Sequence, residues 1–489
     1  MELSKYQKTI SEVFTKTNNN MVIDACPGSG KTFMLCHLAK KIPPTEKSIF
    51  LAFNKSIAEE LSKKLPFHIQ ASTLHSLGFK TLMRHWGSRF MVNSDKTFIL
   101  TMKMKDKLTF YGVHNESHKK KCAYIYALCH LYDLIRMNLI TDFSELKSVA
   151  FDYDLPAVND TDIENMKLMM SMLEDYNKRL TDRSMVDFTD MLWLCKDLDK
   201  KGFNQYNIVF VDEGQDLNPL QKVLVEKILS DEGRFVVVGD EKQSIYTFTG
   251  ANVTSFREFK NKPNTVTLPL SVTYRCSQEV TKKANEVFDG MECFEQNEVG
   301  SVKIGELKDV QEGDFILCRN NKPLVQVYIE LLAMGKKAVI YGKDYGEKLL
   351  KLLNKVEATD KVQVYEELNR MRQELIDELK SKGIQNPDMH PSLGAFDEMY
   401  AILELLLERM SVGETKTKIS EMFSEDKSKG IILMTCHKSK GLEADNVFFL
   451  NPNLIPSTYA QSAQMLYAEK CLYYVTVTRA KKNLIYISI

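Results

Sequence analysis

The chain has 489 residues, of which 44% are hydrophobic and 27% are charged, and these values are ordinary for a globular protein. A length of this order predicts three or four domains of about 100–200 residues each. The 65 basic and 65 acidic residues cancel, so any nucleic-acid contact must come from a local basic surface and not from the overall charge. The ten cysteines include no Cys-x-x-Cys pair, which argues against a structural zinc site and a disulfide framework.

The sequence shows no sign of targeting to a membrane. Its first residues form no apolar signal segment, and no run of about 18 uncharged apolar residues occurs. Cysteines such as Cys318 and Cys436 lie within apolar runs, where a reduced, buried thiol is expected. We therefore expect a reducing, cytosol-like compartment.

Short apolar runs rich in β-branched residues recur along the chain and end in polar or glycine-rich segments. Continuous runs of this kind predict parallel strands buried on both faces. Helical patterns such as Phe33–Lys41 and Leu220–Leu229 lie between them, and this alternation predicts doubly wound α/β sheets that bind ligands at the carboxyl ends of their strands. The predicted strands are Met21–Ala25, Ser48–Phe53, Ile208–Val211, Phe235–Val238, Phe315–Cys318, Ile431–Thr435, Val447–Leu450 and Leu484–Ser488.

Two long helical stretches interrupt these strands, from about Lys80 to Lys200 and from about Tyr345 to Glu425. Both carry apolar residues at helical spacing. We interpret them as insertions, because strand-like runs resume after each one; independent domains are the alternative. The predicted division is 1–80 and 191–270 for a first α/β domain, 81–190 for its helical insertion, 271–344 and 426–489 for a second α/β domain, and 345–425 for a smaller insertion.

The segment Ala25-Cys-Pro-Gly-Ser-Gly-Lys-Thr32 follows a predicted strand and opens a predicted helix, which is the context of a phosphate-binding loop. Gly28 and Gly30 allow backbone N–H groups to face a phosphate. Lys31 is expected to reach the β- and γ-phosphates of ATP, and the Thr32 hydroxyl to bind Mg²⁺. A chance glycine-rich turn is the alternative, and the flanking strand and helix disfavour it.

A second apolar run ends in carboxylates, in Ile208-Val-Phe-Val-Asp-Glu-Gly-Gln-Asp216. Asp212 at the strand end is placed to bind Mg²⁺. Glu213 is then the candidate general base that orients the attacking water. An acidic helix cap is the alternative interpretation, and the nearby phosphate-binding loop makes it the less favoured one.

A third strand-and-loop segment spans Phe235 to Gly250. Gln243 is a candidate sensor of the γ-phosphate. Tyr246 and Phe248 lie two residues apart in a predicted loop, where exposed rings would stack on bases. Burial of both rings in the core is the alternative.

In chain order, these segments resemble the motifs of superfamily 1A DNA helicases of the UvrD, Rep and PcrA type. A single such motif would be weak, but the ordered set is specific. The matching segments are Gln7, Ala25–Thr32, Phe53-Asn-Lys55, Thr73-Leu-His-Ser76, Asp187-Phe-Thr-Asp-Met-Leu192, Asp212-Glu-Gly-Gln-Asp216, Gly239–Gly250, Tyr274-Arg275, Thr435–Glu443 and Tyr474–Ala480.

The resemblance implies two RecA-like domains with an ATP cleft between them, and 3′→5′ movement along single-stranded DNA from junctions of single- and double-stranded DNA. It also implies a monomer that acts near the nucleoid, in the cytoplasm of a bacterium or of a virus-infected host cell. It implies that Arg275 and Arg479 are arginine fingers, that Tyr274 stacks on adenine, and that Glu443 contacts ribose. Lys440 and His437 are expected to couple the nucleotide to the strand. The implied nucleotide contacts are Gln7, Ala25, Gly28, Ser29, Gly30, Lys31, Thr32, Phe33, Tyr274, Arg275, Lys440, Gly441, Glu443 and Arg479.

The implied nucleic-acid contacts are Phe53, Asn54, Thr73, His75, Tyr246, Phe248 and His437. Some positions depart from the family pattern. Phe33 stands where an Arg is usual, Phe248 replaces a Trp, Thr249 replaces an Arg, and Thr273 replaces an Asn. We expect an altered adenine contact and altered base stacking, with the ATPase core unchanged.

Lysines at 103, 105, 107 and 119–121 lie in the first helical stretch. They are candidates for phosphate contacts to a duplex, and a solvated helix face is an equally good interpretation. For the whole chain, two alternatives to a motor remain open. One is a nucleotide-gated clamp on DNA with little turnover, and the other is the helicase subunit of a nuclease complex.

Overall fold

The computed structural model describes residues 3–52, 54–110, 118–146, 158–245, 253–356, 358, 360–381, 384, 386–426 and 430–489, without the side chains of residues 56, 118–120, 123 and 253–255. The chain divides into two compact units, Met1–Ser271 and Val272–Ile489. Each unit is built on its own parallel sheet.

Unit 1 contains a six-stranded parallel sheet in the order β3-β2-β6-β7-β1-β8. Its elements are α1 Lys5–Lys16, β1 Asn20–Ala25, α2 Lys31–Ala39, β2 Ser48–Leu51, α3 Lys55–Ser62, β3 Gln70–Ser72, α4 Leu74–Trp86, β4 Met91–Val92, α5 Lys96–Lys103, α6 His118–Asn138, α7 Asp160–Lys178, β5 Met185–Val186, α8 Asp190–Trp193, β6 Tyr206–Val211, α9 Pro219–Ile228, β7 Leu229–Gly239, α10 Val253–Lys260 and β8 Thr265–Leu270.

Alternate residues of the same strands enter two separate cores, one on each face of the unit 1 sheet. Val209 and Val211 of β6 belong to one core, whereas Ile208 and Phe210 belong to the other. The period of two in a strand sends successive side chains to opposite faces, so a run without polar residues is buried on both. Helices cover the two faces, which makes the unit doubly wound.

Helices α5, α6 and α7 form a separate apolar core. A buried ionic cluster joins this helical segment to the first residue of α8 and to the residues just before it. Lys96 Nζ lies 2.5 Å from Asp190 Oδ2, and Arg136 contacts both Asp190 and Asp187 at 2.8 and 3.0 Å. Buried charges that lose their partners are costly, so this cluster fixes the helical segment against the segment 187–190.

Unit 2 contains a seven-stranded parallel sheet in the order β11-β17-β16-β12-β15-β13-β14. Its elements are β9 Val272–Thr273, α11 Gln278–Val287, β10 Glu292–Cys293, β11 Ser301–Ile304, β12 Phe315–Cys318, α12 Asn321–Ala333, β13 Ala338–Tyr341, α13 Lys343–Lys355, α14 Lys361–Ser381, α15 Pro391–Leu407, α16 Val412–Met422, β14 Phe423–Ser424, β15 Ile431–Thr435, β16 Ala444–Leu450, α17 Ala463–Val477 and β17 Ala480–Ile487.

The predicted fold class, two doubly wound parallel-sheet units with helical segments, is confirmed. The predicted strands are present, although β7 and β17 begin several residues earlier than their apolar runs. The prediction was wrong at the end of the second helical stretch, because Phe423–Ser424 pairs with β13 as an edge strand. Within the described residues, the structure has no helix long and apolar enough to cross a membrane.

Candidate nucleotide and nucleic-acid sites

The phosphate-binding loop lies between the carboxyl end of β1 and the first turn of α2. Gly28 and Gly30 have φ values of 70° and 81°, a backbone region in which a side chain is strained. Ser29 is fully buried, and its hydroxyl donates to the Cys26 carbonyl at 2.8 Å. The loop therefore holds its shape through its own contacts and presents the amino end of α2 to an anion.

The carboxyl end of β6 meets this loop. Thr32 Oγ1 donates to Asp212 Oδ2 at 2.8 Å, and the Glu213 N–H donates to Asp212 Oδ1 at 3.0 Å. Glu213 has a φ of 52°, a left-handed conformation that non-glycine residues adopt at an energetic cost and that often marks functional sites. The structure thus brings the two predicted Mg²⁺ ligands together.

Lys31 lies among three carboxylates. Its Nζ is 3.3 Å from Glu213 Oε2. Burial alone would lower the pKa of Lys31, but Glu213, Asp240 and Asp212 outweigh it and raise the pKa. Burial and the neighbouring Glu213 raise the pKa of Asp212 to about 6. The single ammonium therefore leaves the three carboxylates incompletely neutralised.

This excess of negative charge fits a hard divalent cation. Within the described residues, no group of three or more His, Cys, Asp or Glu is arranged to hold a metal by itself. Mg²⁺ is usually held by one or two carboxylates together with substrate phosphates and water. Thr32 and Asp212 supply oxygen ligands of that kind, and when bound the ion would neutralise charge that builds up on the phosphates.

Gln243 is connected to the same network through β7. Gln215 Nε2 donates to Glu213 Oε2 at 2.7 Å, and its Oε1 accepts the Asp240 N–H at 2.9 Å. Gln243 Nε2 then donates to Asp240 Oδ2 at 2.7 Å. Gln215 was not singled out from the sequence, and it links the carboxyl ends of β6 and β7.

Gln7 and Phe33 lie on either side of this loop. Gln7 closes a capping box with Ser4 at the start of α1, in which its Oε1 accepts the Ser4 N–H at 3.0 Å. Gln7 Nε2 is 3.7 Å from the point that a β-carbon on Gly30 would occupy. The Phe33 ring is 47% exposed and lies against His37. Gln7 therefore reaches the loop while it also caps a helix, and Phe33 presents an open ring face.

Unit 2 gathers a second set of predicted residues around Thr478. Arg275 Nε is 2.5 Å from Glu443 Oε2, and Arg275 Nη1 donates to the Thr478 carbonyl at 3.5 Å. Arg479 is only 1% exposed, and its guanidinium donates to the backbone carbonyls of Val475 and Leu442 at 2.9 and 3.1 Å. Tyr274 packs on Phe294 with ring centroids 4.9 Å apart.

The segment between β15 and β16 runs from the carboxyl ends of the unit 2 strands to their amino ends. His437 follows the carboxyl end of β15, whereas Glu443 directly precedes β16, whose first residue pairs with the residue after Arg479. Successive turns, including a Lys440 N–H to His437 carbonyl bond of 3.3 Å and Gly441 with a φ of 82°, bring the chain across. Arg275, Glu443 and Arg479 thus lie near the amino ends of the strands. The general expectation that ligands bind at the carboxyl ends of parallel strands did not predict this position.

Two domain models match the chain. The UvrD/REP helicase N-terminal domain matches residues 6–264, and the UvrD-like helicase C-terminal domain matches residues 320–489. The chain belongs to the UvrD/REP helicase family. It is therefore a member of superfamily 1A, of the UvrD, Rep and PcrA type, as the ordered motifs indicated.

Individual proteins similar to this chain are also named as DNA helicases. F-box DNA helicase protein 1 of Schizosaccharomyces pombe is 26% identical over an alignment that covers 99% of this chain and 57% of that protein. The ATP-dependent DNA helicase PcrA of Bacillus subtilis is 27% identical over 58% of this chain and 39% of its own length. The chain therefore spans between about two-fifths and three-fifths of the length of these relatives.

The helicase motifs expected to contact nucleic acid lie at helix starts in unit 1. Asn54 and Thr73 cap α3 and α4 by accepting the N–H groups of Ile57 and Ser76. His75 packs edge-on against Phe188 with ring centroids 6.2 Å apart, and burial lowers the pKa of His75. Phe188 is 55% exposed, and sequence reasoning missed it although it lies within a segment singled out as a motif.

Other predicted nucleic-acid contacts lie partly outside the described residues. Phe53, Tyr246, Phe248 and Thr249 lie outside them, as do the side chains of Lys119 and Lys120. Lys121 lies over the Phe110 ring at 5.3 Å. His437 is half-buried, and burial together with Arg319 lowers its pKa to about 3. His437 is therefore neutral at physiological pH in the structure described.

Proposed function

We propose that this chain is an ATP-driven motor that moves along single-stranded DNA in the 3′→5′ direction and separates duplex strands at a junction. The observation that carries the proposal is the network in unit 1 that joins Lys31, Thr32, Asp212 and Glu213, in a chain that belongs to the UvrD/REP helicase family. Relatives named as ATP-dependent DNA helicases support the choice of ATP and DNA.

In the proposed reaction, Lys31 and the N–H groups of the loop bind the β- and γ-phosphates, and Thr32 and Asp212 hold Mg²⁺. Glu213 accepts a proton from the attacking water, while Gln215 holds the carboxylate by its 2.7 Å hydrogen bond. Arg275 and Arg479 supply charge to the transition state from unit 2. Arg275 would exchange its contact with Glu443 for a phosphate contact.

Movement follows when ATP binds one arrangement of the two units better than another, because hydrolysis then removes the contacts that favoured it. Exposed rings such as Phe188 would hold bases without sequence preference. The segment from Thr435 to Glu443 joins the expected strand contact at His437 to the expected ribose contact at Glu443. A change at the nucleotide is thereby communicated to the strand through one short piece of backbone.

Strand displacement tests this function. Partial duplexes with either a 3′ or a 5′ single-stranded tail are incubated with the protein and Mg²⁺, with and without ATP. The expected result is ATP-dependent displacement of the strand on the 3′-tailed substrate. Strand displacement only on the 5′-tailed substrate would show that the protein moves in the 5′→3′ direction and not in the proposed one. If the protein binds DNA in a nucleotide-dependent way but shows neither strand displacement nor DNA-stimulated ATP turnover, it acts as a clamp and not as a motor.

A further inference from the structure

The outer edge of the unit 1 sheet carries a recess that no helicase motif includes. It lies between α4, the edge strand β3 and the start of β6, and its volume is about 320 Å³ when the solvent at its open mouth is counted. Its polar lining consists of Gln70, Lys80, Thr81, Arg84, Asn204 and Tyr206, together with Ser72. Apolar side chains of Ile49 and Leu77 complete the wall.

The recess has a positive charge that the protein leaves uncompensated. Lys80 and Arg84 are four residues apart on α4, so they lie on the same face of the helix one turn apart. Neither has an ion pair or a side-chain hydrogen bond within the described part of the chain, and no carboxylate is among the lining residues. Like charges at this spacing destabilise a helix, and a bound anion would relieve that repulsion.

Hydrogen-bond donors converge on the same space. Thr81 lines the recess, and its hydroxyl has no hydrogen-bond partner among the residues that the structure describes. A hydroxyl without an internal partner can donate to a ligand that enters the recess. The side-chain amides of Gln70 and Asn204 add further donors. This combination of guanidinium, ammonium, hydroxyl and amide groups matches the oxygens of a phosphate.

The position of the recess separates it from the nucleotide site. In the strand order, β3 lies four strands from β1, which at about 4.8 Å per strand is about 19 Å. Lys80 follows Thr73, the helix cap expected to contact a strand, by seven residues of the same helix, or about 10 Å. The recess therefore extends the expected path of a nucleic acid along α4.

We propose that this recess binds a backbone phosphate of a nucleic acid strand through Lys80 and Arg84. The inference rests on the proposed function, because that function supplies the nucleic acid. A polymer suits the open mouth, since Gln70, Lys80, Arg84 and Asn204 are all exposed on one side. Free phosphate has the same chemistry, and the experiment separates the two sources.

The test compares a double variant, Lys80→Gln with Arg84→Gln, with the control Lys63→Gln, which removes an exposed lysine at the end of α3. Dissociation constants for single-stranded and duplex DNA are measured without ATP at several salt concentrations. Each lost phosphate contact reduces the slope of log affinity against log salt by about 0.7–0.9. Because the double variant loses the one proposed phosphate contact, it is expected to reduce that slope by about 0.7–0.9 with an unchanged melting temperature, and the control to leave it at the wild-type value.

A double variant with the same slope as the control overturns this inference and leaves the proposed function standing. A wild-type protein that binds no DNA at any salt concentration overturns both. In a third arm, inorganic phosphate is added to each protein and the melting temperature is followed. Stabilisation of the wild type alone, with equal DNA slopes, would assign the recess to free phosphate and overturn the nucleic-acid assignment.

Discussion

In unit 1, Lys31 contacts Glu213 across 3.3 Å and Thr32 donates to Asp212, so that the side chains of the candidate site hold one another in place although the carboxylates stay incompletely neutralised. In unit 2, Arg479 is buried and donates to two backbone carbonyls, whereas Arg275 pairs with a partly exposed carboxylate. The first group is held by contacts among its own side chains. The second contains one arginine held by short hydrogen bonds to the backbone and one held by a neighbouring carboxylate and a single long backbone hydrogen bond.

This difference bears on how each unit would respond to ATP. A network of charges that is already in place costs little reorganisation when phosphate and Mg²⁺ enter, which is the usual basis of electrostatic catalysis. In the proposed reaction, Arg275 gives up Glu443 before it contacts a phosphate. Because a partly exposed ion pair is worth only about 0–1 kcal/mol, we expect that exchange to be energetically easy, so that the proposed contact can form and break in each cycle.

The largest expected effects come from substitution of Arg275 and Arg479. The two variants should lose similar ATPase activity but different amounts of folding stability. Arg275→Ala and Arg479→Ala should each reduce the rate of ATP hydrolysis by about 10³–10⁵-fold, the range known for arginine fingers. Arg479→Ala also leaves the Val475 and Leu442 carbonyls without their donor in a buried site, at a cost of about 2–4 kcal/mol. Steady-state turnover and thermal unfolding of both variants measure the two effects.

Each arginine serves as the control for the other. Arg275→Ala should change the free energy of unfolding by only about 1 kcal/mol, because it removes an ion pair to a partly exposed carboxylate and one long hydrogen bond to the Thr478 carbonyl. Equal losses of folding stability in the two variants would mean that the deeper burial of Arg479 does not determine its contribution to stability. Full activity of Arg479→Ala would show that this side chain is purely structural.

Lys31→Ala tests the preassembled network of unit 1. It should abolish measurable ATP turnover, a loss of at least about 10²–10³-fold, because it removes the charge aimed at the transferred phosphate. It also leaves Glu213, Asp212 and Asp240 without their ammonium partner, so weaker thermal stability is expected without Mg²⁺. Lys41→Ala, just beyond the end of α2, is the matched control. Turnover near the wild-type level would reject the assignment of the loop.

The sequence was most informative where local pattern and chemistry coincide. The strand–glycine loop–helix around Gly28 and the carboxylates after β6 could be read directly, because parallel strands bring their carboxyl ends to one edge. The inward direction of Arg479 could not, since it depends on carbonyls of Leu442 and Val475 that only the folded unit supplies. The strand β8 was also missed, because its sequence alternates Thr with apolar residues and contains a proline.

Phe188 extends the comparison to the expected strand contacts. Phe188→Ala should weaken binding of single-stranded DNA by about 1–3 kcal/mol if a base stacks on the ring. Thermal stability should change little, since the ring is more exposed than buried. The matched control is Phe67→Ala, which removes another exposed ring that packs edge-on against a histidine, His68. Equal DNA affinities for both variants would place the strand elsewhere on unit 1.

His437 gives the smallest expected effect and a distinctive dependence on pH. Its folded pKa of about 3 lies below the ordinary value of 6.5, because burial and Arg319 disfavour the charged ring. The unfolded chain therefore binds a proton more tightly, and the stability that the neutral ring contributes is present above about pH 6.5 and is lost as pH falls toward 3.

The variant His437→Gln lacks this titration. Between pH 7 and pH 5 the wild type should therefore lose about 1 kcal/mol relative to the variant, after allowance for the half-buried ring, or about 2–4 °C in melting temperature. Melting curves of both proteins at the two pH values measure this difference, and imidazole proton shifts follow the ring directly. A ring that titrates near pH 6.5 would contradict this prediction and mean that His437 is open to solvent. A charged His437 would then be available to contact a DNA phosphate.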